Sequence, residues 1–286
     1  MKQPNDLAHQ EQAMGTLVEL TSAFEGIASM KIALIKNQVL QSTQFFNELW
    51  AIYKQIKVDS IFSFGRDQDS KVKVLSKKLY IIVTAEGGFS GDIDQRLLEL
   101  MLSTYQTDTT DIIVIGHHGA IQLAQRGISF KKYFKLPSKD QNINVSPITR
   151  EVQLYQSTTL FYQQYISLMS QAVKSIDLTA AVNQIGENLN DNSDIISEKN
   201  YIFEPSPMSV ANHLERSMMQ IAISQLILES KLAQYASRFR AMSASHERAD
   251  EEKANLRLEF NRSKRALKDE RLKEIINGMK KVRTGV

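Results

Sequence analysis

The sequence predicts an α/β protein in which long N- and C-terminal helices pair as an antiparallel coiled coil beside a central α/β domain with a mostly parallel sheet. Three observations predict it. The first segment lacks proline and repeats apolar residues at helical steps, the middle alternates short apolar runs with helical spacings, and the last segment holds a 3.5-residue period through many heptads. The expected divisions are residues 1–58 for the first helix, 72–205 for the α/β domain and 206–286 for the last helix.

From Leu7 to about residue 56 the chain has no proline, and Leu17, Leu20, Phe24 and Ile27 recur at steps of three and four, followed by Leu34. The spacing predicts one long helix. Its stripe is narrow and interrupted by Gly15, Gly26 and Lys31, which fits a two-stranded seam rather than burial on all sides. Turn residues end it at Ser63-Phe64-Gly65-Arg66-Asp67-Gln68-Asp69-Ser70.

Beyond that break the period changes. Residues 78–84, Lys-Leu-Tyr-Ile-Ile-Val-Thr, read as a buried strand, a Gly-rich turn follows, and Ile93, Leu97, Leu98, Met101 and Leu102 give residues 93–105 helical spacing. Residues 111–116 form a second apolar strand, 120–125 a short helix and 128–134 a third strand, the order of a small parallel sheet with crossover helices. A helix over 149–173 is expected next, then strands over 177–185 and 195–203 around the polar loop 186–194. The domain closes at Glu204-Pro205-Ser206-Pro207.

In the last segment, alternating steps of four and three from Leu214 land on Met218, Ile221, Gln225, Leu228, Leu232, Tyr235, Phe239, Met242 and His246. They continue through Ala249, Lys253, Leu256, Phe260 and Ser263 to Leu267. A 3.5-residue period held this long imposes a left-handed supercoil on a partner helix. The partner is the first helix, antiparallel, because the intervening domain returns the chain. At about 1.5 Å per residue, a helix from 209 to 279 spans on the order of 100 Å, more than a small domain needs.

Composition narrows the function. With 42% hydrophobic and 23% charged residues the chain is that of a folded protein, and no run approaches the roughly 18 apolar residues of a membrane span. The opening Met1-Lys2-Gln3-Pro4-Asn5-Asp6 resembles neither a secretory signal nor a transit peptide, so a cytoplasmic location is expected. The absence of cysteine excludes disulfides, thiolate metal sites and a cysteine nucleophile.

Sites for chemistry are sparse. The turn Glu86-Gly87-Gly88-Phe89-Ser90-Gly91-Asp92 follows a strand as phosphate loops do, but it has neither Gly-Lys-Ser/Thr nor G-x-G-x-x-G, and Glu86, Asp92 and Asp94 oppose an anion. It is expected to be a tight turn in which Ser90 or Asp92 caps the next helix. His117-His118-Gly119 reads as a polar helix start rather than a metal site, and His213 and His246 as seam or surface residues. The basic stretch from Arg262 to Lys273 is diluted by Asp269 and Glu270 and lacks aromatic residues for base stacking, so no nucleic-acid partner is expected. No catalytic residue, metal or cofactor is assigned.

Four places resemble the gamma subunits of F-type ATP synthases. Leu20-Thr21-Ser22-Ala23-Phe24-Glu25-Gly26-Ile27-Ala28-Ser29-Met30-Lys31 resembles I-T-K-A-M-K/E-M-V-A-A-S-K. Val83-Thr84 followed by Gly88-Phe89-Ser90-Gly91-Asp92-Ile93-Asp94 is similar to the family's strand and G-L-C-G-G-L/F-N, with Asp92 replacing a glycine and Asp94 an asparagine. Tyr201-Ile202-Phe203-Glu204-Pro205-Ser206-Pro207 resembles Y-x-F/Y-E-P-x-P, and Arg238, Ala241 and Met242 fall on A-x-R-x-x-A-M. Asn261 to Ile275 resembles the family's C-terminal motif through Asn261, Ala266, Leu272, Glu274 and Ile275, but Lys264, Arg265, Asp269 and Arg271 depart from it.

The resemblance implies a non-catalytic rotor that carries torque between a hexamer of alpha- and beta-type nucleotide-binding subunits and, through its Rossmann-like domain, an epsilon-type subunit and the membrane ion-carrying ring. It implies hexamer contacts at Thr21, Phe24, Glu25, Ile27, Lys31, Asn261, Lys264, Arg265, Glu270 and Arg271, and antiparallel pairing is expected to set residues 24–31 beside 261–275 or slightly before. It places Gly88, Ser90, Gly91 and Asp92 at the stalk or ring side, and the protein peripherally on the cytoplasmic face of the cell membrane. The alternatives are a related motor not coupled to ion flow, a nucleic-acid-binding coiled-coil protein and a stand-alone Rossmann-like enzyme.

Overall fold

The computed structural model describes residues 3–55, 74–136, 143–187, 204 and 206–283. The element order is α1 (Pro4–Gln55), β1 (Leu75–Val83), α2 (Ile93–Thr104), β2 (Thr110–Ile115), α3 (His117–Gln125), β3 (Lys132–Phe134), α4 (Ser146–Val152), β4 (Tyr155–Tyr165), β5 (Gln171–Asp177), α5 (Leu178–Glu187) and α6 (Pro207–Arg283). The chain forms two compact units, one of residues 1–27 with 239–286 and one of residues 28–238.

The larger unit is built on a five-stranded sheet of order β3-β2-β1-β4-β5. β1 pairs in parallel with β2 and β4, β2 in parallel with β3, and β4 antiparallel with β5. Both faces are covered, which is why Leu79–Val83 of β1 and Ile112–Ile115 of β2 are apolar without alternation. On one face Leu79, Ile81, Val83, Ile113 and Ile115 pack with Ile148 of α4, Leu178 and Ala181 of α5, and Met219, Ile223 and Ile227 of α6. On the other, Tyr80, Ile82, Ile112 and Val114 meet Leu97, Leu98 and Met101 of α2 and Leu123 of α3. Burial of each large side chain stabilises by about 1.5–3 kcal/mol, so the first layer anchors the N-terminal third of α6 to the sheet, and the second anchors α2 and α3. Phe46 and Trp50 of α1 pack with Val182 of α5 and Met218 and Ala222 of α6. Gln225 donates to the Thr43 hydroxyl at 3.1 Å, and Tyr53 to Glu215 Oε1 at 2.9 Å, so α1 and α6 run antiparallel here.

In the smaller unit the same two helices pair antiparallel again. His246 Nδ1 lies 3.2 Å from the Val18 carbonyl oxygen and 3.4 Å from Thr21 Oγ1, and Gly15 faces Lys253. Leu7, Met242, Ala249 and Leu256 are buried. From Leu214 to Ser263 none of the α6 seam positions read from the sequence is exposed, and Leu267 is the first that is.

Five expectations need correction. The α1 seam is not the stripe of large residues: Leu17, Ile27 and Leu34 are exposed, as are Leu20 at 52% and Phe24 at 37%. The buried face is the neighbouring one, through Leu7, Thr21, Ala28, Ile32, Ile35 and Phe46, whose small members let the helices approach closely. The helix expected over 149–173 is instead the short α4 followed by the hairpin β4–β5. Its Tyr, Thr and Phe side chains favour strand, and Leu160, Phe161 and Tyr162 are buried on both faces of a near-central strand. The strand expected over 177–185 is α5. Asp177 Oδ1 accepts from the Thr179 amide at 2.9 Å, Ala180 and Ala181 favour helix, and Leu178, Ala181 and Val182 bury one helical face. The strand expected over 195–203 lies outside the described residues. α3 begins at His117 rather than at residue 120, and β3 is confined to Lys132–Phe134.

Candidate functional site

The chain leaves β1 for β2 and β3 on one side, then returns to place β4 on the other. The carboxyl ends of β1 and β4 therefore form the switch-point crevice in which doubly wound sheets hold ligands. Here α6 fills it. The Ser237 hydroxyl donates to the Ser90 carbonyl at 2.7 Å, and Arg238 donates from Nε to the Gly88 carbonyl at 3.2 Å and from Nη2 to that of Gly87 at 3.4 Å. Deeper in, Gln163 of β4 accepts on Oε1 from the Ser230 hydroxyl and from Gln234 Nε2, and donates through its own Nε2 to Asp94 Oδ1 at 2.8 Å. The turn presents carbonyl oxygens to α6, the wrong polarity for a phosphate cradle.

The turn is held from beneath by close backbone approach. Gly116 has φ +100, and a Cβ there would sit 2.0 Å from the Thr84 carbonyl oxygen. Gly119 N donates to Thr84 Oγ1 at 2.9 Å. Gly91 takes φ +67 and Phe89 φ +66, the left-handed backbone that turns the chain into α2.

Neither Ser90 nor Asp92 caps α2, contrary to expectation: α2 has no side-chain cap, and Asp92 pairs with Arg96 at 3.1 Å. The caps are elsewhere. Glu86 Oε2 accepts from the His117 amide at 3.2 Å, placing an anion at the start of α3. It also accepts from the Leu136 amide, while Oε1 accepts from the Tyr133 hydroxyl. Asp94 accepts from the Ala85 amide and from His118 Nδ1 at 3.2 Å. That bond from His118 to Asp94 raises the imidazole pKa above its ordinary value, against partial burial and the Arg238 charge. Among the described residues no group of three or more His, Asp or Glu side chains is placed to hold a metal.

The proposed hexamer-contact residues fall in two sets. Thr21 is buried in the smaller unit, its hydroxyl donating to the Leu17 carbonyl at 2.8 Å; Phe24 and Ile27 are exposed and Glu25 is half-buried. Lys31, in the larger unit, is half-buried. Asn261, Lys264, Arg265, Glu270 and Arg271 are all exposed, and every position from 267 to 280 is exposed around the whole helix, including Leu267, Leu272, Ile275, Ile276 and Met279. The register that puts Thr21 against His246 and Gly15 against Lys253 sets residues 24–27 opposite the start of the 239–286 segment. Within the smaller unit, residues 24–27 therefore lie well before the 261–275 stretch expected beside them. The Gln163, Ser230, Gln234 and Ser237 cluster escaped the sequence reading. Its signal was the run of polar residues Ser230, Lys231, Gln234 and Ser237 interrupting the apolar face of α6, all buried.

A family model described as ATP synthase matches residues 5–282. The ATP synthase gamma chain of Chlorobium phaeobacteroides (strain BS1) is 22% identical over 293 residues, covering 96% of each chain. That of Mesoplasma florum is 24% identical over 268 residues, covering 91% of this chain and 92% of its own. Among solved structures, a chain of the Euglena gracilis mitochondrial ATP synthase (OSCP/F1/c-ring, rotational state 3) superposes with a TM-score of 0.55 at 12% identity, covering 95% of this chain and 96% of that one. A chain from the central stalk and c-ring of the Tetrahymena thermophila enzyme gives 0.54 at 17% identity, covering 79% and 98%. At these identities the structural likeness speaks to fold.

Proposed function

This chain belongs to the ATP synthase family, with the gamma chains, and from that premise we propose that it is the central-stalk rotor of an F-type ATPase, a non-catalytic subunit. The observation that carries the reading is the treatment of α6. In one unit it is gripped by a sheet face and by the strand-end crevice, and in the other its last turns, from 267 to 280, are bare on every side. A helix gripped at one part and bare at another can deliver a torsional load to a surrounding partner. Asymmetric contact with three otherwise equal sites would make their affinities differ, which is how one site's binding energy is coupled to another's.

In this reading alpha- and beta-type nucleotide-binding subunits surround the smaller unit. The exposed Phe24 and Ile27, together with Asn261, Lys264, Arg265, Glu270 and Arg271, meet them, with Thr21, Glu25 and Lys31 supporting from the helix pair. The α/β unit, through the exposed Gly91 and Asp92, faces an epsilon-type subunit and the membrane ring, while Gly88 and Ser90 of the same turn are engaged by Arg238 and Ser237 and support that face from within. No described helix is long and apolar enough to cross a membrane, so attachment to the cytoplasmic face of the cell membrane would be peripheral, through those partners.

Purification of the tagged chain from its source tests the assignment: P-loop subunits should travel with it in threefold excess, and their absence would remove it. Reversal of Arg265 and Arg271 to Glu together tests the contacts. Exposed ion pairs contribute at most about 1 kcal/mol each, so the double change is the informative one. It should leave the complex assembled while lowering ATP-driven rotation relative to hydrolysis; unaltered rotation and torque would assign both residues to solvent.

A further inference from the structure

Asp94 is 2% exposed and receives three N–H donors: the Ala85 amide, Gln163 Nε2 at 2.8 Å and His118 Nδ1 at 3.2 Å. Three N–H donors and no hydroxyl are the surroundings of a carboxylate anion. An anion removed from water needs a counter-charge, and His118 is the group placed to supply it.

The pair controls more than itself. Asp94 takes the Nε2 of Gln163 and so fixes which end of that amide points at α6, where Oε1 accepts from Ser230 and Gln234. It also ties down Ala85, the residue that opens the turn clasped by Ser237 and Arg238. We propose that Asp94 and His118 form a proton-operated catch that sets how firmly the strand ends of the α/β unit hold α6. With His118 protonated the buried carboxylate is compensated and the network is taut. With His118 neutral, Nδ1–H still donates but the bond to Asp94 loses its charge assistance, and the turn and Gln163 loosen.

The charged groups around His118 are Asp94 from α2, Arg238 from α6, and Glu86, which sits on the neighbouring His117 amide and is itself held by Tyr133 and Leu136. Asp94 favours the imidazolium and Arg238 opposes it, with Asp94 prevailing. Because the folded pKa of His118 lies above its unfolded value, the stabilisation is complete below the ordinary imidazole value of 6.5 and is lost as pH rises through the raised one. In the rotor, and resting on that assignment, the junction is then stiffer on the acid side.

The experiment is amide exchange by mass spectrometry on the full-length chain across the imidazole range, corrected for intrinsic base catalysis. In the wild type the peptide containing Ala85 should exchange about threefold faster or more on the alkaline side. In His118→Asn, whose amide nitrogen replaces Nδ1 as donor, and in Asp94→Asn, which keeps an acceptor for Gln163, the pH step should vanish. An unchanged step in either variant, or none in the wild type, overturns the catch. If a variant does not fold, the imidazole of His118 is followed by NMR in the wild type, where titration at or below the ordinary histidine range also overturns it. Failure here leaves the rotor assignment standing, since that rests on co-purification.

Discussion

Ser237 of α6 donates its hydroxyl to the carbonyl oxygen of Ser90 at 2.7 Å, with both residues buried. The bond joins the long helix to a turn 147 residues earlier in the chain. Ser237→Ala would leave that carbonyl without its donor, and a buried group so orphaned costs about 1–3 kcal/mol. The midpoint of urea unfolding should fall accordingly with an unchanged slope. A loss within error would mean that water replaces the hydroxyl.

Gly116→Ala should be far more damaging. A Cβ would sit 2.0 Å from the Thr84 carbonyl oxygen and 2.7 Å from its carbon, on a backbone at φ +100 that disfavours any side chain. Steric and conformational strain together are expected to exceed about 4 kcal/mol. Circular dichroism should show no cooperative transition at the wild-type midpoint. A normal melt would place the β1 and β2 ends farther apart than described.

The polar layer of His246, Thr21 and the Val18 carbonyl should set register at some cost to stability. Thr21 already donates to the Leu17 carbonyl, so His246→Leu strands no hydroxyl and buries apolar surface instead. A gain of about 1 kcal/mol is expected with looser pairing. The chain has no cysteine, so Gly15→Cys with Lys253→Cys reports register by disulfide yield. Yield should drop in the His246→Leu background, and an equal yield would show that the apolar seam alone fixes the register.

Truncation after Asn261 should leave the fold intact, because none of the described side chains beyond it is buried. The thermal midpoint should move by less than about 2 °C, while assembly or rotation of the complex is impaired. A large drop in the midpoint would show that the segment packs on its own chain.

How much the sequence disclosed follows from how each surface is built. The α6 seam was legible because packing alone determines its period, from Leu214 onward. The α1 seam was not, because its large residues Leu17, Leu20 and Phe24 lie outside while Thr21 and Ala28 lie inside, so reading by bulk selects the wrong stripe. β4 was hidden because a strand buried on both faces loses its alternation, leaving only the richness in Tyr, Thr and Phe as a sign. In the candidate site the turn was visible from Gly88 and Gly91. Its partners were not, since Gln163, Ser230 and Ser237 reach it only through long-range pairing of β1 with β4 and packing of α6.

The crevice at the strand ends holds side chains of the same molecule, so its occupancy is fixed at one and owes nothing to any concentration in the surroundings. A diffusible ligand there could be diluted, competed away or consumed; tethered serines and glutamines present an effective concentration set by the chain itself. Nutrient and nucleotide levels therefore have no direct purchase on this joint. The variables left to act on it are temperature, load and the activity of protons.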